Sequence, residues 1–296
     1  MTTIGFIGLG HMGNPMVKNL LKNNYRVSVF DLNEEALQAL GKEGAAVVES
    51  PAEIAKNSDV VITMLQTGDQ VAQCCLGADG VFAYLNKPNA LFIDSSSIDV
   101  EESRKLHAQA SSQNIAMVDA PVSGGVGAAT AGTLTFMVGG EAAHFERAQP
   151  ILSAMGKNII HAGPASTGAA AKICNNMILA ISMIGVSEAF VLADKLGLKA
   201  EKLYKISSTA SGQCWSLTSY CPAPNVMPDV PSSNDYKAGF TANMMLKDLK
   251  LSQKAADSSG ATTPLGKHAK KLYQKYVDAG NGEVDFSGIM QMLEDA

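Results

Sequence analysis

The sequence lacks the basic excess that nucleic-acid-binding and membrane-surface proteins carry. Its 23 Lys and Arg are outnumbered by 28 Asp and Glu, for a net charge of -5 and a pI near 5.6. A surface of that sign has little electrostatic attraction for nucleic acid or for an anionic membrane. We therefore predict neither kind of partner and expect a chain that acts on a small molecule.

Paired cysteines and clustered histidines are also missing. The five cysteines form no CxxC pair, and the five histidines stand singly. This usage favours reduced thiols in a cytosol-like compartment over a disulfide scaffold, and it predicts no metal site. The N-terminus enters a strand pattern without a charged n-region or an Arg-rich leader. We expect a cytoplasmic protein, or an organelle-matrix protein whose leader has been removed.

Long apolar runs are few as well, although 46% of the residues are hydrophobic and only 17% are charged. The apolar stretch after Lys172 is short of a membrane span and contains Asn175, Asn176 and Ser182. We therefore predict a buried core helix there. The 296 residues fit two domains of ordinary size.

In the first half, short β-branched runs alternate with helical patterns such as Met12–Asn23, Glu34–Gly41 and Val100–Gln113. Such alternation predicts βαβ units and a doubly wound, mostly parallel α/β sheet. The predicted strands are Ile4–Ile7, Arg26–Phe30, Ala46–Val48, Val60–Leu65, Leu91–Ile93, Ala116–Val118, Leu134–Val138 and Ile159–His161.

Helical patterns replace this alternation after about Pro164. Ser166 or Thr167 can cap a helix that runs to about Leu196, where Gly197 supplies a terminating glycine. Further helices are predicted at Ala200–Ser208, Thr241–Ser258, Pro264–Ala279 and Phe286–Glu294. The proline-containing segment 220–239 is predicted to be an ordered loop that serves as a lid or a subunit contact.

A glycine motif, Gly8-Leu9-Gly10-His11-Met12-Gly13, follows the first predicted strand and matches GxGxxG. Its glycines allow a tight turn, close approach of a pyrophosphate and close helix packing, which is the Rossmann-type pattern. Asp31, at the end of the second strand, can accept both ribose hydroxyls. No arginine stands beside it, so we predict NAD rather than NADP. The NAD-binding domain would cover residues 1–164, and an all-helical substrate and oligomerisation domain, built on the long helix, would cover 165–296.

Lys172 is the strongest candidate for chemistry. It stands where the uncharged stretch 173–187 begins, and Asn176 follows one turn later on the same face. A lysine against an apolar wall has its pKa lowered toward neutrality, which makes it a usable general base. The alternative is a lysine that extends to water. A non-catalytic dinucleotide-binding module is the alternative function, but it has no use for such a base.

Other segments offer weaker candidates. Ser123, Gly124 and Gly125 follow the sixth strand and offer a hydroxyl and backbone N–H groups to a carboxylate, unless they form only a flexible turn. Lys247 can reach a cofactor and Asp248 can orient an amine, unless both lie on a solvated face. Trp215 fits core packing and a pocket wall equally well.

Four motifs in this order resemble the β-hydroxyacid dehydrogenase family: Gly8–Gly13, Asp119–Gly125, Gly168–Asn176 and Lys247-Asp248. The resemblance covers essentially the whole chain. It implies that Lys172 is the catalytic base, that Asn176 and the Ser123 loop hold the substrate, and that Lys247 helps bind the cofactor. It also places Leu65, Gln66 and Ser97 beside the nicotinamide. Gln66 stands where proline is common, and Ser97 where threonine is common.

Within that family, the residues around Asp31, 172–176, 212–215 and 236–240 are most similar to the branch that acts on 3-hydroxyisobutyrate. The implied reaction is reversible NAD-dependent oxidation of 3-hydroxyisobutyrate to methylmalonate semialdehyde, a step of valine catabolism. The alternative is reduction of tartronate semialdehyde, glyoxylate or succinic semialdehyde on the same scaffold. The apolar helix and the resemblance together predict a homodimer or homotetramer.

Overall fold

The computed structural model of the protein describes residues 2–294. The chain divides into two compact units, Met1–Lys172 and Ile173–Ala296. The division falls inside a long helix that begins at Thr167 and ends at Lys195.

The first unit is built on a single sheet, to which nine strands of the described residues contribute. The strands are β1 (Thr3–Ile7), β2 (Arg26–Phe30), β3 (Ala46–Val47), β4 (Val60–Thr63), β5 (Leu91–Asp94), β6 (Ala116–Asp119), β7 (Val122–Ser123), β8 (Leu134–Gly139) and β9 (Gly156–Gly163). Their order is β3-β2-β1-β4-β5-β6-β8-β7, and β9 pairs with β8. All pairs from β3 to β6 are parallel, whereas β8 runs antiparallel to β6 and β7. The predicted doubly wound, mostly parallel sheet is confirmed.

Helices cover both faces of this sheet. They are α1 (Gly13–Lys22), α2 (Glu34–Lys42), α3 (Pro51–Asn57), α4 (Gly68–Leu76), α5 (Val81–Tyr84), α6 (Val100–Ser112), α7 (Gly125–Ala131) and α8 (Ala142–Leu152). Alternate side chains of β1 enter two separate cores, since Phe6 packs with Met16 on one face and Ile7 packs with Ile54 on the other. The sheet is therefore buried on both sides, as its β-branched runs predict.

Local capping explains where several of these helices begin. Each of α2, α3, α4 and α6 follows a residue whose side-chain oxygen accepts a backbone N–H of the first turn. These caps are Asn33, Ser50, Thr67 and Asp99. Because each helix starts directly after a strand or its loop, the caps also fix the loops at the carboxyl ends of the parallel strands.

The remaining helices are α9 (Thr167–Lys195), α10 (Ala200–Ser207), α11 (Trp215–Thr218), α12 (Ala242–Ser259), α13 (Pro264–Tyr276) and α14 (Ile289–Glu294). Short turns of other helical types lie at Pro231–Ser233, Val277–Asn281 and Phe286–Gly288. Gly197, with φ of 77°, follows the end of α9, as predicted. The core of the second unit joins Met183 of α9 to Met245 and Leu249 of α12 and to Tyr273 of α13.

The predicted buried core helix is found, but α9 is buried on one face only. Ala180, Met183 and Phe190 are buried at helical spacing, but Ile178 is 63% exposed and Leu192 is 59% exposed. By length and composition α9 is apolar enough to cross a membrane, and 39% of its most apolar window is buried. Apolar side chains therefore lie on the exposed face of the helix as well as on its buried face.

The segment 220–239 is an ordered loop held by its own hydrogen bonds. The Ser232 hydroxyl donates to the Cys221 carbonyl at 2.6 Å, and the Tyr236 hydroxyl donates to the Pro222 carbonyl at 2.8 Å. The buried carboxylate of Asp285 accepts the N–H groups of Gly239 and Phe240 at 3.0 and 3.2 Å. The loop is thereby tied to the start of the C-terminal segment.

Candidate active site

The glycine motif forms the turn between β1 and α1, at the point where the strand order of the sheet reverses. Gly8 has φ of 98°, a conformation that favours glycine. A Cβ at Gly13 would overlap the carbonyl oxygen of Gly8, whereas a Cβ at Gly10 would meet no atom within 4 Å. The turn therefore leaves open space over Gly10, at the N-terminus of α1, where a pyrophosphate can approach the backbone.

The side chains between these glycines face different surroundings. Leu9 is buried in the core of the sheet, Met12 packs against the same core, and His11 is exposed. The motif thus presents its backbone to a ligand, with His11 as a side chain at the surface.

Asp31 follows β2 directly, and its carboxylate already holds the glycine turn. One oxygen accepts the Leu9 N–H at 2.5 Å, and the other accepts the Asn33 N–H at 2.8 Å. A carboxylate has further acceptor positions for ribose hydroxyls. The neighbouring Leu32 is 93% exposed and supplies no positive charge for a 2′-phosphate. The residues present therefore fit a dinucleotide whose ribose carries a free 2′-hydroxyl rather than a 2′-phosphate.

Hydrogen bonds connect the loops that follow β4 and β5. Asp94 accepts the Thr63 hydroxyl at 2.8 Å and the Ser96 N–H at 3.0 Å, and the Ser96 hydroxyl accepts the Leu65 N–H at 2.9 Å. The pKa of Asp94 is raised to about 6, chiefly by burial and to a smaller extent by the charge of Asp119, while these hydrogen bonds act to lower it. These hydrogen bonds hold together the two loops that carry the predicted nicotinamide contacts. Of these, Leu65 and Ser97 are half-buried and Gln66 is exposed.

Asp119 connects two of the sequence motifs. Its carboxylate accepts the Ser166 N–H and the Ala169 N–H, each at 2.8 Å. A Cβ at Gly168 would lie 2.7 Å from the Asp119 carbonyl oxygen, so only glycine allows the helix to start this close to the sheet. The strand that leads into the Ser123 loop is thus bonded to the first turn of the helix that carries Lys172. Lys172 is 9% exposed, which fits a lysine held against protein rather than one extended into water.

The Ser123 loop is shaped by two glycines in the left-handed region. Gly124 has φ of 124° and Gly125 has φ of 67°. Ser123 pairs with Thr135 of β8, and α7 begins two residues later. The sequence did not predict β7, because two residues are too short to show a strand period. The short strand places Ser123 at the edge of the sheet.

In the second unit, Asn176 is buried and its amide orientation is fixed. Its amide nitrogen donates to the Asp248 carboxylate, and its amide oxygen accepts from the Asn175 side chain at 3.0 Å. Asp248 is 3% exposed, and the Lys247 ammonium lies 3.6 Å from its other oxygen. The alternative of a solvated face is therefore wrong for Asp248, which the structure places against Asn176.

Both parts of the chain match families of NAD-binding dehydrogenase domains. Residues 3–163 match the family described as the NAD binding domain of 6-phosphogluconate dehydrogenase. Residues 166–293 match the family described as NAD-binding of NADP-dependent 3-hydroxyisobutyrate dehydrogenase. This chain belongs to the β-hydroxyacid dehydrogenase family. It is an oxidoreductase, an NAD-dependent hydroxyacid dehydrogenase, and the resemblance seen in the sequence is confirmed.

Individual members of the family are similar over the whole length. A solved structure of Mycobacterium tuberculosis 3-hydroxyisobutyrate dehydrogenase with L-serine is 46% identical, with a TM-score of 0.92 and 99% of each chain covered. An NAD-dependent L-serine dehydrogenase of Pseudomonas aeruginosa is 46% identical, over 99% of this chain and 98% of its own. The human mitochondrial 3-hydroxyisobutyrate dehydrogenase is 45% identical, over 99% of this chain and 87% of its own.

Trp215 lies at the surface of this dehydrogenase rather than in its core, since it is 47% exposed. Its ring stacks on Tyr220 with centroids 5.0 Å apart, and Tyr220 stacks in turn on Phe286 at 5.3 Å. The Tyr220 hydroxyl donates to Asp285 at 2.9 Å. The core-packing alternative for Trp215 is therefore wrong. Its exposed ring rests on Tyr220, which Phe286 and Asp285 hold in place, and its role as a pocket wall stays a prediction.

Several supporting residues of the site were not predicted from the sequence. Asp94 and Ser96 follow a predicted strand, so a polar pair at the carboxyl end of a buried strand was a usable signal. His107, whose imidazole contacts Asp119, and Asp285 gave no such signal, because neither residue belongs to a motif. Among residues 2–294, no group of three or more His, Cys, Asp or Glu side chains is placed to hold a metal ion.

Proposed function

We propose that this dehydrogenase oxidises the primary hydroxyl of 3-hydroxyisobutyrate and yields methylmalonate semialdehyde. The observation that carries the proposal is the pair of hydrogen bonds from the Ser166 and Ala169 N–H groups to Asp119. They hold the strand before a carboxylate-binding loop against the turn before Lys172. A 3-hydroxy acid needs these two functions near each other, because its carboxylate and its hydroxyl are separated by only two carbons.

The proposed roles follow from the chemistry of each group. The Ser123 hydroxyl and the backbone at Gly124 and Gly125 bind the substrate carboxylate. Lys172, neutral in the reactive state, takes the hydroxyl proton, and it returns a proton to the alkoxide in the reverse direction. Asn176, whose amide is fixed by Asp248 and Asn175, orients the hydroxyl. NAD+, when bound, supplies the hydride acceptor.

We propose a preference for NAD over NADP because of Asp31. Its carboxylate would repel a 2′-phosphate, and the exposed Leu32 beside it offers no compensating charge. We propose that Leu65, Gln66 and Ser97, on the two loops joined by the hydrogen bonds of Asp94 and Ser96, contact the nicotinamide. Lys247 is also proposed to bind the cofactor.

L-Serine is a second candidate substrate. The relative named NAD-dependent L-serine dehydrogenase is as similar to this chain as the mycobacterial structure solved with L-serine, at 46% identity each. Serine and 3-hydroxyisobutyrate share a carboxylate and a primary hydroxyl and differ at the central carbon, which carries an ammonium or a methyl group. The roles proposed for Lys172 and the Ser123 loop are the same for both substrates. A place in valine catabolism follows only if 3-hydroxyisobutyrate is the substrate.

Initial rates of NADH or NADPH formation test the proposal. The substrates are 3-hydroxyisobutyrate, L-serine, 3-hydroxypropionate and glycerate, each with NAD+ and with NADP+. We expect the highest kcat/KM for 3-hydroxyisobutyrate with NAD+. A higher value for L-serine selects the second candidate. Turnover of none of them by a folded protein that binds NADH contradicts the proposal and favours a binding module.

We also propose that the exposed apolar face of α9 packs against a second copy of the chain. A homodimer, or a homotetramer built from dimers, would cover Ile178 and Leu192. A cytoplasmic or organelle-matrix location fits the bacterial and mitochondrial relatives, and we propose it on that ground.

A further inference from the structure

His107 makes a largely buried contact with Asp119 that the sequence did not predict. It lies on α6, one turn after the buried Ser103, and so on the side of that helix that faces the sheet. Its Nε2 atom is 2.8 Å from an oxygen of Asp119, and the two side chains are 11% and 2% exposed. An imidazole buried against a carboxylate fixes the position of both groups.

Asp119 therefore receives hydrogen bonds from two directions. From α9 come the N–H groups of Ser166 and Ala169, and from α6 comes the imidazole of His107. Because a carboxylate only accepts hydrogen bonds, Nε2 of His107 carries the hydrogen. Ser166 N–H and His107 share one carboxylate oxygen, and Ala169 N–H has the other. Movement of the carboxylate away from His107 would move the first turn of α9 with it.

We infer that His107 is a positioning residue that acts through Asp119 on Lys172, an inference that rests on the proposed role of Lys172 as general base. Lys172 follows Ala169 by three residues, less than one helical turn, so a shift of that turn displaces its amine directly. Misplacement of a catalytic group by about 1 Å costs roughly 100-fold in rate. The loss of one of the bonds that restrain Asp119 displaces the turn by less, and we expect a fall in kcat of about tenfold.

A contribution to stability alone is the competing explanation, and His161 provides a matched control. The imidazole of His161 also makes a single hydrogen bond in the same unit, to the Gly140 carbonyl at 2.9 Å. It stacks on Phe145 with ring centroids 4.7 Å apart and makes no hydrogen bond to Asp119. The variants His107→Phe and His161→Phe each lose one ring hydrogen bond, but only the first releases Asp119.

Two more variants place an amide at position 107 and differ only in whether that amide can reach Asp119. In His107→Gln the amide nitrogen can take the place of Nε2, whereas in His107→Asn the amide is too short to reach Asp119. If His107→Phe does not fold, His107→Asn replaces it in every comparison. We expect His107→Gln to keep kcat within about twofold of wild type and His107→Asn to lose about tenfold, with KM and NADH affinity unchanged in both, because the interaction acts on the reacting geometry.

Hydrogen exchange of peptides that cover residues 163–172 gives a readout that does not depend on catalysis. Faster exchange in His107→Asn than in His107→Gln and His161→Phe, together with the fall in kcat, supports the inference. Unchanged exchange, or unchanged kcat, in His107→Asn overturns it. The variant Lys172→Met distinguishes failure of this inference from failure of the proposed function. If Lys172→Met is inactive while His107→Asn keeps full kcat, only the positioning role of His107 is wrong. If Lys172→Met keeps its turnover, the proposed base is wrong and the inference fails with it.

Discussion

Replacement of Asp94 by Asn should change how the stability of the protein depends on pH. The side chain is 1% exposed, and its pKa is raised from 3.8 to about 6, chiefly by burial. The folded state therefore binds a proton at Asp94 more tightly than the unfolded state does. The stabilisation from this proton is complete below about pH 4 and is lost as the pH rises through about 6.

The difference between the two pKa values corresponds to about 3 kcal/mol. An asparagine at position 94 can still accept the hydrogen bonds of Thr63 and Ser96, and it carries no charge at any pH. We therefore expect the free energy of unfolding of Asp94→Asn to gain about 3 kcal/mol on that of wild type between about pH 4 and pH 7.

Urea unfolding of both proteins across this range, followed by circular dichroism, measures the difference, and carboxyl NMR of Asp94 measures its pKa directly. Asp59 is a control of opposite sign. Hydrogen bonds from the backbone N–H and the side chain of Thr3 and the charge of Lys87 lower its pKa despite partial burial. The stability that Asp59 contributes is present above pH 3.8 and is lost as the pH falls below that value, so with measurements extended below pH 4 Asp59→Asn should lose ground on wild type as the pH rises. A difference between Asp94→Asn and wild type that does not vary with pH, or that varies in the Asp59 direction, would refute the reasoning.

Three further outcomes are expected. Lys172→Met should lower turnover by roughly 10²–10⁴-fold with little change in NADH affinity, and a variant that keeps a tenth of the wild-type rate contradicts its role as base. The double variant Asp31→Ser, Leu32→Arg should raise the ratio of kcat/KM for NADP+ over NAD+ at least tenfold, whereas a wild type that already prefers NADP+ shows that Asp31 does not select the cofactor. Light scattering should give a multiple of the 30.9 kDa chain mass, and Ile178→Lys should reduce it; a wild-type mass of one chain argues against the α9 interface.

The sequence predicted most of the sheet because the strands are short β-branched runs separated by helical patterns. It predicted the end of α9 through Gly197, a local signal. The predicted capping role of Ser166 or Thr167 is wrong, because the Ser166 hydroxyl has no hydrogen-bond partner among the described residues and the Thr167 hydroxyl donates to the Pro164 carbonyl. The Asp119 carboxylate accepts the N–H groups there instead. It did not predict which face of α9 is covered. Apolar residues surround that helix, so periodicity carries no information about where its partners lie.

The candidate site divides in the same way. The glycine turn and Lys172 lie in local motifs, and the sequence revealed them. The bonds made by Asp119 join residues 47 and 50 positions apart, and the contact between Asp31 and Leu9 spans 22 positions. Such contacts depend on the tertiary arrangement of strands and helices, and the residue types alone do not specify them. Asp31 supports the glycine turn, which the sequence did not predict, and its role toward ribose stays a prediction.

The position of β1 has a consequence for how the chain acquires its structure during synthesis. This strand pairs with β2 on one side and with β4 on the other, so it lies inside the sheet although it leaves the ribosome before both of its partners. Its second edge stays unpaired until Thr63, the last residue of β4, has emerged. Chains fold from the N-terminus at about 5–20 residues per second during synthesis. For some seconds the nascent chain therefore carries an apolar strand with an open edge, the kind of surface that chaperones bind and that pairs with other chains.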